Sequence, residues 1–242
     1  MPEASSGRSG QRGRDQENEQ DDNSVGGANT PELEDAYRFS FDANWLVTQM
    51  IEIDDGVEKI KDLTGSTFTV ETGLNDLQQT DAIEVTRTRT KRGVTETTVY
   101  EDQDGDDVYT QTFELEIYGA DARPNKIEQY QFTFDANDNV TGYSRLKKGD
   151  WVVKNIDANE SFDTVTVGTD TFVIKTEVDG TEVELEVFQD ADGDDIWLEV
   201  AEAEMTTASP YYDPTTGVDP ALGVWVIGVV LGTVAPGAGW AV

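Results

Sequence analysis

RFSFDANWLVT (38–48) returns 93 positions later as QFTFDANDNVT (131–141), with Phe41, Asp42, Ala43, Asn44, Val47 and Thr48 repeated as Phe134, Asp135, Ala136, Asn137, Val140 and Thr141. A second pair of matching stretches follows in the same order, VYEDQDGDDVYT (99–110) and VFQDADGDDIWL (187–198), offset by 88. Two landmarks at nearly constant separation indicate a duplicated unit of roughly 80–90 residues. Duplication favours a structural or binding module over a single catalytic cleft.

Around the landmarks the apolar residues alternate with a period of two. Glu182-Val183-Glu184-Leu185-Glu186-Val187 sets three carboxylates on one face and three aliphatics on the other. Phe113-Glu114-Leu115-Glu116-Ile117 does the same, and Ile83–Thr90 follows more loosely. Turn residues separate the runs at Asp135–Asn139, Lys91-Arg92-Gly93 and Asp179-Gly180. These are signals for antiparallel hairpins with one solvated face. The expected fold is therefore mostly β, an antiparallel hairpin meander. Its two tandem repeats form sandwich- or barrel-like units or run on as one continuous meander. Helix is scarce, with Leu74–Gln79 (LNDLQQ) the best candidate for a short piece. Phe41 and Phe134 fall on the core side of the alternation.

The chain divides into four segments: a polar arm (1–30), a first β unit (31–125), a second (126–208) and an apolar C-terminal segment (209–242). The arm holds Gly, Ser, Gln, Asn and charge. It buries too little to offset chain entropy and reads as disordered. It also lacks the apolar run of a classical signal peptide. Thr30-Pro31-Glu32 reads as the cap of a short helical turn. From Pro220 to Val242 there is no charged residue. A spanning helix needs about 20 strongly apolar residues, and Gly223, Gly228, Gly232 and Pro236 interrupt this run. Val224–Val234 suits a buried strand better. That strand would complete the core of the second unit. The competing readings are a strand donated to a neighbouring subunit, an export signal and, last, a membrane anchor.

Fifty acidic residues against seventeen basic ones give a net charge of -33. Nucleic acid is excluded as a partner, because phosphate binding needs clustered Lys and Arg. Anionic membranes are disfavoured for the same reason. Such charge self-repels at low salt and points to divalent cations or brine, as in sea water or the extracellular medium. Cys and His are both absent. That removes thiol nucleophiles, disulfides, Ser–His–Asp catalysis and nearly all zinc, copper and haem ligation. Metals with oxygen ligands remain.

Asp102-Gln103-Asp104-Gly105-Asp106-Asp107 and Asp190-Ala191-Asp192-Gly193-Asp194-Asp195 place carboxylates at i, i+2 and i+4. In a tight loop this spacing turns alternate side chains toward one centre, and crowded carboxylates repel until a cation relieves them. These six-residue stretches resemble the first half of acidic DxDxDG-type calcium loops, as in EF-hands and secreted bacterial β-repeat proteins. The resemblance implies Ca²⁺ ligation by Asp102, Asp104 and Asp106 and by Asp190, Asp192 and Asp194. Three departures stand against a true EF-hand. Loop position six is Asp107 or Asp195 instead of Gly, and position twelve is Phe113 or Ala201 instead of Glu. Strands, not helices, flank the loops. An incomplete, weak site fits this pattern, with affinity near 10⁻⁴ to 10⁻³ M, roughly that of extracellular modules. The competing reading is a solvated turn, where Asp and Gly are favoured for turn reasons alone.

Asp135, Asn137 and Asn139 also alternate oxygen ligands, but the first copy has Leu46 in the last place, so FDAN reads as a hairpin turn. Trp45, Trp151, Trp197, Trp225 and Trp240 are core candidates, or sugar-stacking surfaces where exposed. No carboxylate pair stands out for glycoside hydrolysis. The expected function is a non-enzymatic structural or adhesive extracellular protein, stiffened by Ca²⁺ and partnered by itself or another protein. The uncharged C-terminal end looks like that of bacterial proteins exported by a C-terminal signal. The alternatives are a virion or filament subunit of a marine or halophilic virus and, more weakly, a carbohydrate-binding module.

Overall fold

The computed structural model describes residues 36–74, 78–122 and 128–207, and residues 209–233 apart from 210 and 214–216. The polar arm and the Thr30-Pro31-Glu32 cap lie outside the described residues. Seven strands come from the first copy: β1 (Ala36–Phe41), β2 (Val47–Asp54), β3 (Val57–Ile60), β4 (Ser66–Leu74), β5 (Thr80–Lys91), β6 (Val94–Glu101) and β7 (Tyr109–Tyr118). Seven equivalents follow: β8 (Gln129–Phe134), β9 (Val140–Lys147), β10 (Asp150–Lys154), β11 (Glu160–Val167), β12 (Asp170–Asp179), β13 (Glu182–Gln189) and β14 (Trp197–Thr206). All pair antiparallel in one sheet. FDAN, KRG, DG and DxDGDD each sit at a strand-to-strand turn.

Within each copy, consecutive strands pair except the third and fourth, and the last pairs back with the first: β7 with β1, and β14 with β8. The gap falls between the third and fourth strands. Each copy is thus a curled meander that stops short of a closed barrel. A bulge between Ser40 and Phe41 recurs between Thr133 and Phe134, and one between Val99 and Tyr100 recurs between Val187 and Phe188. Bulges bend a strand locally, so both copies curl at the same places. The fall in offset from 93 to 88 is explained mainly by one hairpin. Leu74 pairs with Thr80 across five residues, whereas Val167 pairs with Asp170 across two. Leu74 therefore ends a strand and Gln78 has φ of 59°. Of the helix expected at Leu74–Gln79, Leu74 is strand and Gln78 is non-helical, while 75–77 lie outside the described residues.

Each curl is filled with aromatics. Tyr37, Met50, Val85, Tyr100 and Tyr109 form one core, and their equivalents Tyr130, Tyr143, Val173, Phe188 and Trp197 form the other. Phe41 and Phe134 pack against these cores as partly buried rings. Tyr109 Oη donates to the Ala82 carbonyl at 2.6 Å, which satisfies its buried hydroxyl.

The copies join through β7 and β14, which pair Phe113 with Met205, Leu115 with Ala203 and Ile117 with Ala201. Leu115 and Ala203 are equivalent under the 88-residue offset, so the pairing is symmetric about that rung. One face of these strands is apolar and carries the helix α1 (Pro220–Val230).

The C-terminal segment thus departs from the expected buried strand. Asp219 accepts from the Ala221 N–H at 2.8 Å and Pro220 sits at the first helical position, a start signal worth about 1 kcal/mol. Leu222, Val226, Ile227 and Val229 are buried, a helical spacing, while Val224 is 52 % exposed. Packing against the sheet overrides the strand preference of Val. Gly223 allows the approach, since a Cβ there would lie 2.6 Å from Ile174 Cδ1. Among the described residues no helix is long and apolar enough to cross a membrane.

The turn glycines are not equivalent. Gly93 has φ of 80°, and a Cβ there would meet Ala122 N and the Asp121 carbonyl carbon at 2.3 Å. Gly180, with φ of 63°, has nothing within 4 Å. Gly180→Ala should cost about 1 kcal/mol from the left-handed backbone alone. Gly93→Ala must also displace backbone and should cost about 2–4 kcal/mol. Urea denaturation of the two variants checks the difference.

Candidate functional site

The acidic loops join β6 to β7 and β13 to β14, at the ends of strands that the central sheet fixes. Their scaffolds match bond for bond. Asp102 Oδ1 accepts from the N–H groups of Gly105 (2.8 Å) and Asp106 (3.2 Å), and its Oδ2 from Asp107 (3.2 Å). Asp190 does the same with Gly193 (2.8 Å), Asp194 (3.2 Å) and Asp195 (3.0 Å). Asp106 and Asp194 accept from Val108 and Ile196, each at 2.9 Å. Asp107 and Asp195 hold φ of 64° and 62°. They occupy, with a carboxylate side chain, the left-handed position that Gly takes in an EF-hand.

In each loop the sequence-predicted residues come together. One carboxylate oxygen from each of Asp102, Asp104 and Asp106 lies within 4.8 Å of the other two, and so for Asp190, Asp192 and Asp194. Two oxygens on one Ca²⁺ are separated by at most twice a Ca–O distance of about 2.4 Å, a spacing that both trios meet. The loops also carry the electrostatic cost that a cation removes. Repulsion from Asp194 and, after it, a small desolvation push the exposed Asp192 carboxyl up. Desolvation and then Asp81, Asp102 and Asp106 do the same to Asp107. Glu114 and Glu202, one place beyond the ligand position of an EF-hand, belong to a different arrangement.

No family model, curated protein or solved structure matches this chain. The geometry itself carries the functional reading.

That different arrangement is a carboxylate ladder on the face of the central strands opposite α1. One rung runs across six strands as Arg89, Glu96, Glu116, Glu202, Glu186 and Lys175. The next runs as Arg87, Thr98, Glu114, Glu204, Glu184 and Glu177. Cations close both ends of the first rung: Arg89 on Glu96 at 2.7 Å and Lys175 on Glu186 at 2.6 Å. Lys175 also meets Glu177 at 2.9 Å and Glu160 at 3.5 Å. The middle has only acids, and Glu114, Glu116, Glu202 and Glu204 line a cleft of about 230 Å³. Tyr118 Oη bridges this middle, donating toward Glu202 (2.7 Å) and Glu116 (3.1 Å).

Burial raises the carboxyl pKa of several of these glutamates. Desolvation, then Glu186, Glu202 and Glu184, push Glu199 up to about 9. Desolvation and Glu186 push Glu184 up to about 7. Glu114, Glu186 and Glu204 are raised as well, with desolvation the largest cause in each. Glu96, Glu114 and Glu116, and likewise Glu128, Glu186 and Glu199, bring oxygens within 4.8 Å of one another. The second trio is faced by Arg145 on Glu128 and Lys175 on Glu186, so its charge is already compensated by side chains. The sequence placed these glutamates on a solvated face. In the folded chain Glu186 and Glu199 are buried and the others are mostly half-buried. The signal was present as Glu at every second position in β7 and β13 and, across a bulge, at 199, 202 and 204 in β14, readable only once their register is known.

The Trp residues divide. Trp197 is buried in the second aromatic core, Trp45 and Trp225 are partly buried against apolar clusters, and Trp151 is 37 % exposed on β10. Trp240 lies outside the described residues.

Proposed function

We propose that this chain is a non-enzymatic structural or adhesive protein working outside the cytoplasm, with its two DxDGDD hairpin loops stiffened by Ca²⁺. The observation that carries the reading is the pair of loops, which repeat the same hydrogen-bonded scaffold and the same convergence of three carboxylates. A plain turn needs only the Asp102 and Asp190 bonds to backbone. Holding Asp104 and Asp106, or Asp192 and Asp194, against them adds repulsion that a hard cation converts into attraction. The net charge of -33 supports life in divalent-rich or saline surroundings.

The test is a thermal melt in EDTA, in about 5 mM CaCl₂, and in MgCl₂ and NaCl at matched ionic strength. The midpoint should rise in Ca²⁺ beyond the rise in the other salts. Asp104→Asn with Asp192→Asn should remove the excess. Equal rises in all salts would reduce the loops to turns.

A virion or filament subunit is the second reading, favoured by the fully exposed edge strand β10. Removing residues 1–30 tests whether the arm drives assembly. Removing 220–242 does not, because α1 lies in the core.

A further inference from the structure

Among the described residues β10 ends the sheet and pairs only with β9, and all five of its residues are exposed, with Val153 at 78 %. The β9–β10 hairpin turns on two residues, Lys148 (φ 54°) and Gly149 (φ 92°), between the paired Lys147 and Asp150. In such a hairpin the residues flanking the turn exchange both backbone bonds. Asp150, Val152 and Lys154 therefore direct their backbone groups to β9. Trp151 and Val153 direct theirs outward, as a template for another strand.

That outward parity allows few antiparallel registers, and one uses the whole strand. With a second β10 related by a twofold at Val152, Trp151 meets Val153 of the second copy on the hydrogen-bonded rungs. Asp150 then faces Lys154 of the second copy, and each of these pairs occurs twice. A slip of two residues toward the turn would instead set Lys154 against Lys148.

The equivalent edge in the first copy is closed to this. β3 presents Glu58 and Ile60 outward by the same logic, from the Asp55-Gly56 turn. Self-pairing about its centre would put Lys59 against Lys59. Glu58 is already held by Arg38 at 2.8 Å, and Lys59 by Asp54. The charge differs too. The β9–β10 hairpin carries Arg145, Lys147, Lys148 and Lys154 against the single Asp150, in a chain of net -33. An approach at β10 meets a locally basic hairpin instead of the carboxylate excess that the chain as a whole carries.

We propose that β10 is a homodimerisation edge, pairing antiparallel with β10 of a second copy to continue the sheet across two molecules. The reading does not depend on whether the acidic loops hold a cation. Five residues form a small interface, so the dimer is weak and concentration-dependent. Salt strengthens it by screening the net charge.

Sedimentation equilibrium of the full chain, from about 1 to about 100 μM and in roughly 0.15 M and 1 M NaCl, tests this. A monomer–dimer equilibrium that tightens with salt is expected. Val153→Pro removes an outward N–H that the chain's own sheet does not use, and should give a monomer. Lys154→Asp should also give a monomer, while Asp150→Lys with Lys154→Asp restores the dimer. The charge series keeps the test decisive if the proline variant misfolds. A monomer at every concentration overturns the proposal, as does an oligomer unaffected by the charge series. Dimerisation restored only by adding another protein's strand would assign the edge to a different partner and overturn it as well.

Discussion

Lys175→Met is expected to destabilise the fold by about 3–5 kcal/mol, lowering the melting midpoint by roughly 10 °C in a chain of this size. The Lys175 and Glu186 side chains are 9 % and 7 % exposed, and Glu160, Glu177 and Glu186 all converge on the ammonium. Desolvation works against the Lys175 charge, but Glu186 and Glu177 more than offset it and raise its pKa. Its contribution is thus present at neutral pH, where its carboxylate partners are charged, and is lost as pH rises past the ordinary lysine range. Without it, Glu186 and Glu160 remain buried beside each other with no cation. Adding Glu186→Gln to Lys175→Met should recover much of the loss, because the buried charge goes with its partner. Guanidinium denaturation of the single and double variants checks both statements. A single variant within about 1 kcal/mol of the parent would mean water or Arg145 already serves Glu186.

The second large effect is on pH dependence. Glu199 ionises near 4.5 in the unfolded chain and near 9 in the folded one. Between those values the folded state binds the extra proton, so stability falls as pH rises through the window. At pH 7 the loss relative to pH 4.5 is on the order of 3 kcal/mol for this group. Glu184 adds a loss between 4.5 and about 7, and Glu114, Glu186 and Glu204 act in the same direction. The opposite sign belongs to the turn residues Asp42, Asp62 and Asp135. Hydrogen bonds hold their carboxyls low, so what they contribute is lost only as pH falls below the usual range. Stability should therefore peak in mild acid and decline toward pH 9. Glu199→Gln should flatten the decline and raise the midpoint at pH 8, whereas Glu58→Gln, on an exposed edge strand, should not. Denaturant titrations from pH 4 to 9 at fixed ionic strength separate the two.

Both effects come from a feature that single-strand reading missed. The alternation Glu182–Val187 correctly gave a strand and its apolar face. Which strands flank it, and in what register, is long-range information. The rung from Arg89 to Lys175 draws on six strands and both copies. The duplicated unit, by contrast, was legible, because FDAN and DxDGDD are local turn chemistry copied with the gene. The mostly β fold followed from alternation and turns. The C-terminal helix was misread because the Val-rich run was weighed alone and the Asp219-Pro220 start signal beside it went unread. The two Asp trios were legible for a physical reason. Their geometry is set within six residues by backbone bonds to Asp102 and Asp190, so spacing alone foretold convergence.

The central claim is that those trios hold Ca²⁺, and calorimetric titration tests it most directly. Ca²⁺ added to the EDTA-stripped, dialysed chain should bind at two sites, with dissociation constants of about 10⁻⁴ to 10⁻³ M and much weaker uptake of Mg²⁺. Asp104→Asn should leave one site and Asp104→Asn with Asp192→Asn none, while Glu204→Gln in the ladder keeps both. No Ca²⁺ heat beyond that of Mg²⁺, or a stoichiometry unchanged in the double variant, would contradict the account.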